Sequence, residues 1–206
     1  MKIGILGGSF NPITNLHLLT AEIVMDELKL DKVYFEPVNR LYEKKGLIPE
    51  VHRYIMCSKA INQFNNKNIK LGVYEIEQDH IVKTYELAKH YKDTYNSDIY
   101  VIMGADNLEA FDKWRKIEGE LVEELFSEMK IVAVSRNGYN EQEVINNSEF
   151  LTKYKENIEL IEFPVVNNIS STIIRDRIKN KKTIKGLVPN NVDEYIKKKE
   201  LYNGDI

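Results

Sequence analysis

Six short apolar runs, at residues 2–6, 32–37, 69–73, 98–103, 130–135 and 158–163, alternate with stretches whose apolar residues recur at helical spacing. Leu16, Leu19, Ile23, Val24 and Leu28 mark one such stretch, and Val82, Tyr85, Leu87, Ala88 and Tyr91 another. A helix between two strands carries the chain back across the sheet, so consecutive strands run parallel and helices cover both faces. The expected architecture is an α/β, doubly wound parallel sheet. The polar residues 137–149 read as a loop with an excursion into helix. No internal repeat, linker or shift in composition divides the sequence, and 206 residues suit a single domain with a sizeable core.

Ligands of such sheets bind beyond the C-terminal ends of the strands, where the strand order reverses. The first strand runs into Gly7-Gly8-Ser9-Phe10, the chain turns at Asn11-Pro12, and a helix begins near Asn15 with His17 in its first turn. Glycines let the backbone approach a bulky anion closely, and a helix start offers unpaired N–H groups and about half a positive charge. Neither GxxxxGK[ST] nor GxGxxG occurs, so neither a P-loop NTPase nor a dinucleotide dehydrogenase is indicated. Thr14-Asn15-Leu16-His17 fits the TxxH signature of nucleotidyltransferases. Four residues alone would be a chance match and a solvated histidine. Behind a strand, GGSF and NP, they read as a phosphate site with Thr14 and His17 as catalytic candidates.

The segment Asn168-Ile169-Ser170-Ser171-Thr172-Ile173-Ile174-Arg175 is a second signal. Serines and a threonine cap a helix start, and Arg175 follows Ser171 on the same face one turn later. Alone this is a good N-cap with a solvated charge. As the complement of TxxH it is a second phosphate clamp, since arginine suits bidentate phosphate contacts. The loop Tyr42-Glu43-Lys44-Lys45-Gly46 could bring ammonium groups to a substrate phosphate. Gly104-Ala105-Asp106-Asn107, after the fourth strand, can present backbone and a carboxylate to a ribose diol. Trp114, the only tryptophan, is either core packing or a stacking surface for a flat base.

Composition narrows the partners. The chain is 43% hydrophobic and 30% charged, as ordinary globular proteins are, and its formal charge of −3 argues against a general nucleic-acid binder. No apolar run approaches the ~18 residues of a membrane span. Cys57, the only cysteine, sits in an apolar helical stretch and reads as a buried, reduced thiol, which fits the cytoplasm. The chain opens on its first strand, so no signal peptide is expected. His52, His80 and His90 show no metal-ligand spacing. A homo-oligomer is left open.

The segments GGSFNPITNLHL, PVNRLYEKKGLIPEVHRYIM, GADNLEAFDKW, NNISSTIIR and LVPNNVDEYIKKKELY together resemble the nicotinamide/nicotinate mononucleotide adenylyltransferase family, in that family's order and over residues 4–202. The first two look more like its eukaryotic-type branch. The resemblance implies a Rossmann-like fold, ATP as co-substrate with Mg²⁺ accompanying it, and a pyridine mononucleotide as the other substrate. It implies that His17 meets the ATP phosphates, with Gly8, Ser9 and Phe10 lining the site, and that Lys44 meets the mononucleotide phosphate. It places Gly104 and Asp106 at the adenosine ribose and Asn167 at the adenine. Ser171, Thr172 and Arg175 would hold the triphosphate, and Trp114 would stack on the pyridine. No carboxylate cluster that would chelate the metal stands out. Siblings acting on pantetheine phosphate or cytidine nucleotides share TxxH and ISSTxxR but lack the GAD…W and C-terminal segments. A non-catalytic nucleotide-binding module or an assembly scaffold are the alternatives outside the enzyme class. Ile81 stands where the eukaryotic-type pattern has tryptophan.

Overall fold

A computed structural model of the chain describes residues 1–135, 140–164 and 168–203, excepting the side chains of 112, 115, 116 and 118. The elements run β1 Lys2–Gly8, α1 Asn15–Leu28, β2 Lys32–Pro37, α2 Glu50–Phe64, β3 Ile69–Leu71, α3 Tyr74–Glu77, α4 Thr84–Tyr95 and β4 Asp98–Gly104. A 3₁₀ turn, Ala105–Asn107, follows. Then come α5 Leu108–Glu118, α6 Glu120–Glu128, β5 Lys130–Val134, α7 Glu141–Asn146, α8 Glu149–Lys153, β6 Ile158–Ile161, α9 Ser171–Lys179 and α10 Asn190–Lys198.

The six strands form one sheet in the order β3-β2-β1-β4-β5-β6. The β1–β4, β4–β5 and β5–β6 pairs are parallel, with Leu6 opposite Ile102 and Gly104 opposite Val134. The order reverses between β1 and β4, as the doubly wound expectation requires. Central parallel strands are buried on both faces, and Ile3–Leu6 in β1, Ile99–Ile102 in β4 and Ile131–Val134 in β5 lose nearly all contact with water. A side chain at Gly4 would place its Cβ 2.8 Å from Ile102 Cδ1 and 2.9 Å from Leu30 Cδ1, so a larger residue there would have to displace those side-chain ends in the core. β3 ends at Leu71, two residues short of the expected end, because Val73 already turns into α3.

Two compact units can be told apart. One comprises residues 1–6, 23–33 and 83–168, the other residues 7–22, 34–82 and 169–206, so β1 and β2 contribute to both. The first centres on an aromatic cluster in which Phe126, fully buried, meets Phe111 and Phe150 edge to face at 4.7 and 4.9 Å. In the second, α2 turns Arg53, Met56, Cys57, Ala60 and Ile61 inward. Cys57 is buried and free, and burial pushes its thiol pKa far up. Asn140 and Ser148 cap α7 and α8, the helical excursion expected within the polar stretch; residues 136–139 lie outside the described residues. Among the described residues no helix is long and apolar enough to cross a membrane.

Candidate functional site

The turn after β1 is built around a histidine held by its neighbour's backbone. Thr14, fully buried, donates its N–H to His17 Nδ1 at 2.9 Å, and its hydroxyl lies 2.9 Å from the same nitrogen. A backbone N–H can only donate, so Nδ1 accepts and the ring proton resides on Nε2. The TxxH spacing thus works as a fixture: threonine sets the tautomer and plane of the imidazole and leaves Nε2 as the donor. Phe10 packs edge-on to the imidazole at 5.2 Å and against Phe35 at 5.4 Å. Its φ is +43°, a strained value for a bulky residue.

One expectation is corrected here. The start of α1 is not a row of unpaired amides, because Asn15 N–H donates to Leu187 O (3.0 Å), His17 N–H to Thr14 O (3.1 Å) and Thr14 N–H to the imidazole. These groups are spent on holding the turn and the histidine. The two glycines also differ. A Cβ at Gly8 would lie 3.3 Å from the Phe10 ring, so Gly8 seats that ring, whereas a Cβ at Gly7 would meet nothing within 4 Å. Phe10 itself is 3% exposed, its ring beneath the turn.

Helix α9 closes on the same turn. Ser170 is its N-cap, accepting from Ile173 N–H at 3.3 Å. Ser171 Oγ donates to Pro12 O at 2.7 Å, and one turn later Arg175 Nη1 donates to Asn11 O at 2.9 Å while Nη2 donates to Thr172 Oγ1 at 3.2 Å. The structure therefore gathers Thr14, His17, Ser171, Thr172 and Arg175 around residues 10–14, as the two motifs suggested. Part of the donor capacity of Ser171 and Arg175 goes into docking α9.

Lys44 is exposed, in the loop between β2 and α2. Gly46 has φ +76°, which the turn requires of glycine, and its carbonyl accepts from Asn11 Nδ2 at 2.7 Å. Asn11 Oδ1 in turn accepts from Tyr202 Oη at 3.0 Å and from Ile48 N–H at 3.5 Å. Burial raises the Tyr202 pKa, so its hydroxyl stays protonated and donates. Asn11, Tyr202 and Arg53 escaped the sequence reading as site residues. For Arg53 a signal existed: it lies in phase with the Met56, Cys57, Ala60, Ile61 stripe.

In the other unit, the 3₁₀ turn after β4 is held by Asn107 Nδ2 donating to Gly104 O at 3.1 Å, with Asp106 exposed upon it. Trp114 is half-buried, one edge anchored on Phe111 at 4.9 Å, so it is neither wholly core nor wholly free. Lys113 is exposed. Asn167 lies outside the described residues. Among the described residues no three His, Cys, Asp or Glu side chains form a metal cage.

The sequence matches the cytidylyltransferase-like family over residues 5–177. A protein of Clostridium acetobutylicum named "Probable nicotinate-nucleotide adenylyltransferase" is 37% identical over 205 residues, covering 98% of each chain. The nicotinamide/nicotinic acid mononucleotide adenylyltransferase 1 of Bos taurus is 28% identical over 96% of this chain and 87% of its own length. The Plasmodium falciparum nicotinic acid mononucleotide adenylyltransferase, solved with NaAD, superposes with a TM-score of 0.76 over 98% of this chain and 97% of that one, at 24% identity, a likeness of fold. With TxxH and ISSTxxR converging on one turn of a doubly wound sheet, the chain belongs to the cytidylyltransferase-like family and, within it, to the nicotinate-nucleotide adenylyltransferases.

Proposed function

We propose that the protein joins ATP to a pyridine mononucleotide. A phosphate oxygen of the mononucleotide attacks the α-phosphorus of ATP in line. The bond from that phosphorus to the β-phosphate oxygen breaks, and the dinucleotide and pyrophosphate form. A phosphate is already nucleophilic, so no covalent protein intermediate is needed. The chain's contribution is positioning and stabilisation of charge on the equatorial and leaving oxygens. His17 Nε2–H is the fixed donor to the ATP phosphates, and Thr14 its positioning partner. Arg175, with Ser171 and Thr172, supplies charge and hydroxyls from α9. Lys44 meets the mononucleotide phosphate; Gly104 and Asp106 take the ribose, Asn167 the adenine and Trp114 the pyridine face. Mg²⁺ accompanying ATP would screen the phosphate charge. We read residues 1–206 as one nucleotidyltransferase domain acting in the cytoplasm.

The observation that carries this reading is the Thr14–His17 hydrogen bond. It gives a phosphate-facing turn one imidazole donor in a set orientation. The test is synthesis of dinucleotide and pyrophosphate from Mg·ATP and either nicotinate or nicotinamide mononucleotide. Absence of dinucleotide with both mononucleotides sinks the reading. Lys44→Ala should raise KM for the mononucleotide about 10-fold or more and leave KM for ATP nearly unchanged, while Arg175→Ala does the reverse. If both changes act on ATP alone, the division of labour is wrong.

Discrimination between amide and carboxylate on the pyridine needs a charge in the pocket. Trp114 contacts a ring face and not the substituent. Ile81, 45% exposed, adds an alkyl group where tryptophan stands in the eukaryotic-type pattern. The side chains of Asp112, Arg115 and Lys116 lie outside the described residues. Dual use is expected, with kcat/KM for the two mononucleotides within about 100-fold, or about 2.8 kcal/mol. Parallel kinetics showing a much larger ratio would reveal a charged pocket residue.

A further inference from the structure

Among the described residues Arg53 is the largest fully buried side chain, and its relative accessibility is 0%. Its guanidinium is spent on backbone carbonyls. Nε donates to Ile48 O at 3.1 Å, Nη1 to Ser9 O at 3.1 Å, and Nη2 to Val38 O at 2.6 Å and Asn39 O at 3.4 Å. Those acceptors belong to three pieces of chain. Ser9 lies in the turn after β1, Val38 and Asn39 open the loop that carries Lys44, and Ile48 closes that loop. Desolvation lowers the arginine's pKa from its ordinary value, which reflects the cost of burying this charge. A side chain serving only to fill the α2 stripe would not need that charge.

We propose that Arg53 is a positioning residue that registers the two substrate phosphates against each other, one planar guanidinium fixing the turn around Ser9 and both ends of the Lys44 loop. The inference rests on the function proposed above. Its geometry follows from the rigid fork of arginine, which presents donors in one plane at set angles. The Ser9–Phe10 peptide is planar as well, so drawing Ser9 O toward Arg53 turns the Phe10 N–H to the opposite side of the turn. It also helps to hold Phe10 at its strained φ of +43°. From the same fork the Lys44 loop leaves at Val38 and returns at Ile48. The base of the loop is thereby registered on the β1 turn by one buried side chain, beside the Asn11 bonds to Gly46 and Ile48.

Lysine cannot reproduce this, because a single Nζ does not reach acceptors on three segments. Arg53→Lys should therefore lower kcat by about 10- to 30-fold and raise KM for both substrates, measured well below its melting temperature, with the parent's circular dichroism retained. A merely structural role would lower Tm and leave the kinetics of the folded protein within about threefold of the parent, which would overturn the proposal. Should Arg53→Lys not fold, amide hydrogen exchange on the parent protein decides. A non-hydrolysable ATP analogue alone should slow exchange in residues 38–48, and mononucleotide alone should slow it in residues 8–11. Protection confined to each ligand's own segment overturns the proposal. Parent protein that makes no dinucleotide would instead remove the function on which it rests.

Discussion

His17→Ala is expected to lower kcat by roughly 10²–10³, or about 2.7–4 kcal/mol of transition-state stabilisation, the effect of deleting one preorganised donor to a developing oxyanion. The orientation of that donor is already set in the free protein. Thr14 N–H occupies Nδ1, and the Phe10 ring stands edge-on to the imidazole. Little reorganisation is left for the reaction step, and so the loss on removal should be large. The alanine variant also leaves the fully buried Thr14 without an acceptor for its N–H, which costs about 1–3 kcal/mol of stability. A polar residue in the first turn of a helix carries little core, but the hydrogen bond from Thr14 makes His17 count in stability. The kinetics should therefore be measured well below the variant's melting temperature. Turnover near the parental rate would remove His17 from the mechanism.

The largest stability effect is expected far from the phosphates. Phe126→Ala should destabilise the protein by about 3–5 kcal/mol, combining lost burial with the cavity left behind. Phe126 is 0% exposed and touches three other rings, Phe111, Phe150 and Tyr154, the last at 5.9 Å. Edge-to-face pairs add about 0.5–1.5 kcal/mol each beyond burial, so ring removal takes more than an aliphatic truncation would. Urea unfolding should show a lower midpoint with an unchanged slope. A loss below about 1 kcal/mol would mean that the rings do not pack as a unit.

Period and punctuation made most of the fold legible. The six apolar runs became the six strands, with ends differing by one or two residues, as at Val73, where α3 takes over. TxxH and ISSTxxR could be read because each is local: a residue acts on another three or four positions away. Arg53 could not be read as a site residue in the same way. Its partners are carbonyls, which every residue possesses, and they become a site only when three separate segments are folded around one side chain. The same holds for Asn11, whose amide joins Gly46 to Tyr202, residues 35 positions after it and 191 positions after it. The paired amides at the start of α1 were hidden for a like reason, since Asn15 N–H finds Leu187 O across most of the chain.

That long reach bears on the order in which the protein becomes competent during synthesis. The turn at residues 10–14 is synthesised long before its fasteners: Pro12 waits 159 residues for Ser171, and Asn11 waits 164 for Arg175 and 191 for Tyr202. At roughly 5–20 residues per second, the turn exists for about 10–40 s before Tyr202 is made. A nascent chain can pair β1 with β4 well before that, but it lacks the hydrogen bonds that Ser171, Arg175 and Tyr202 make to the turn. A polypeptide cut short before α9 would therefore have much of a sheet and an unfastened turn; on the function proposed above, partly made chains would then not bind and sequester ATP on the ribosome.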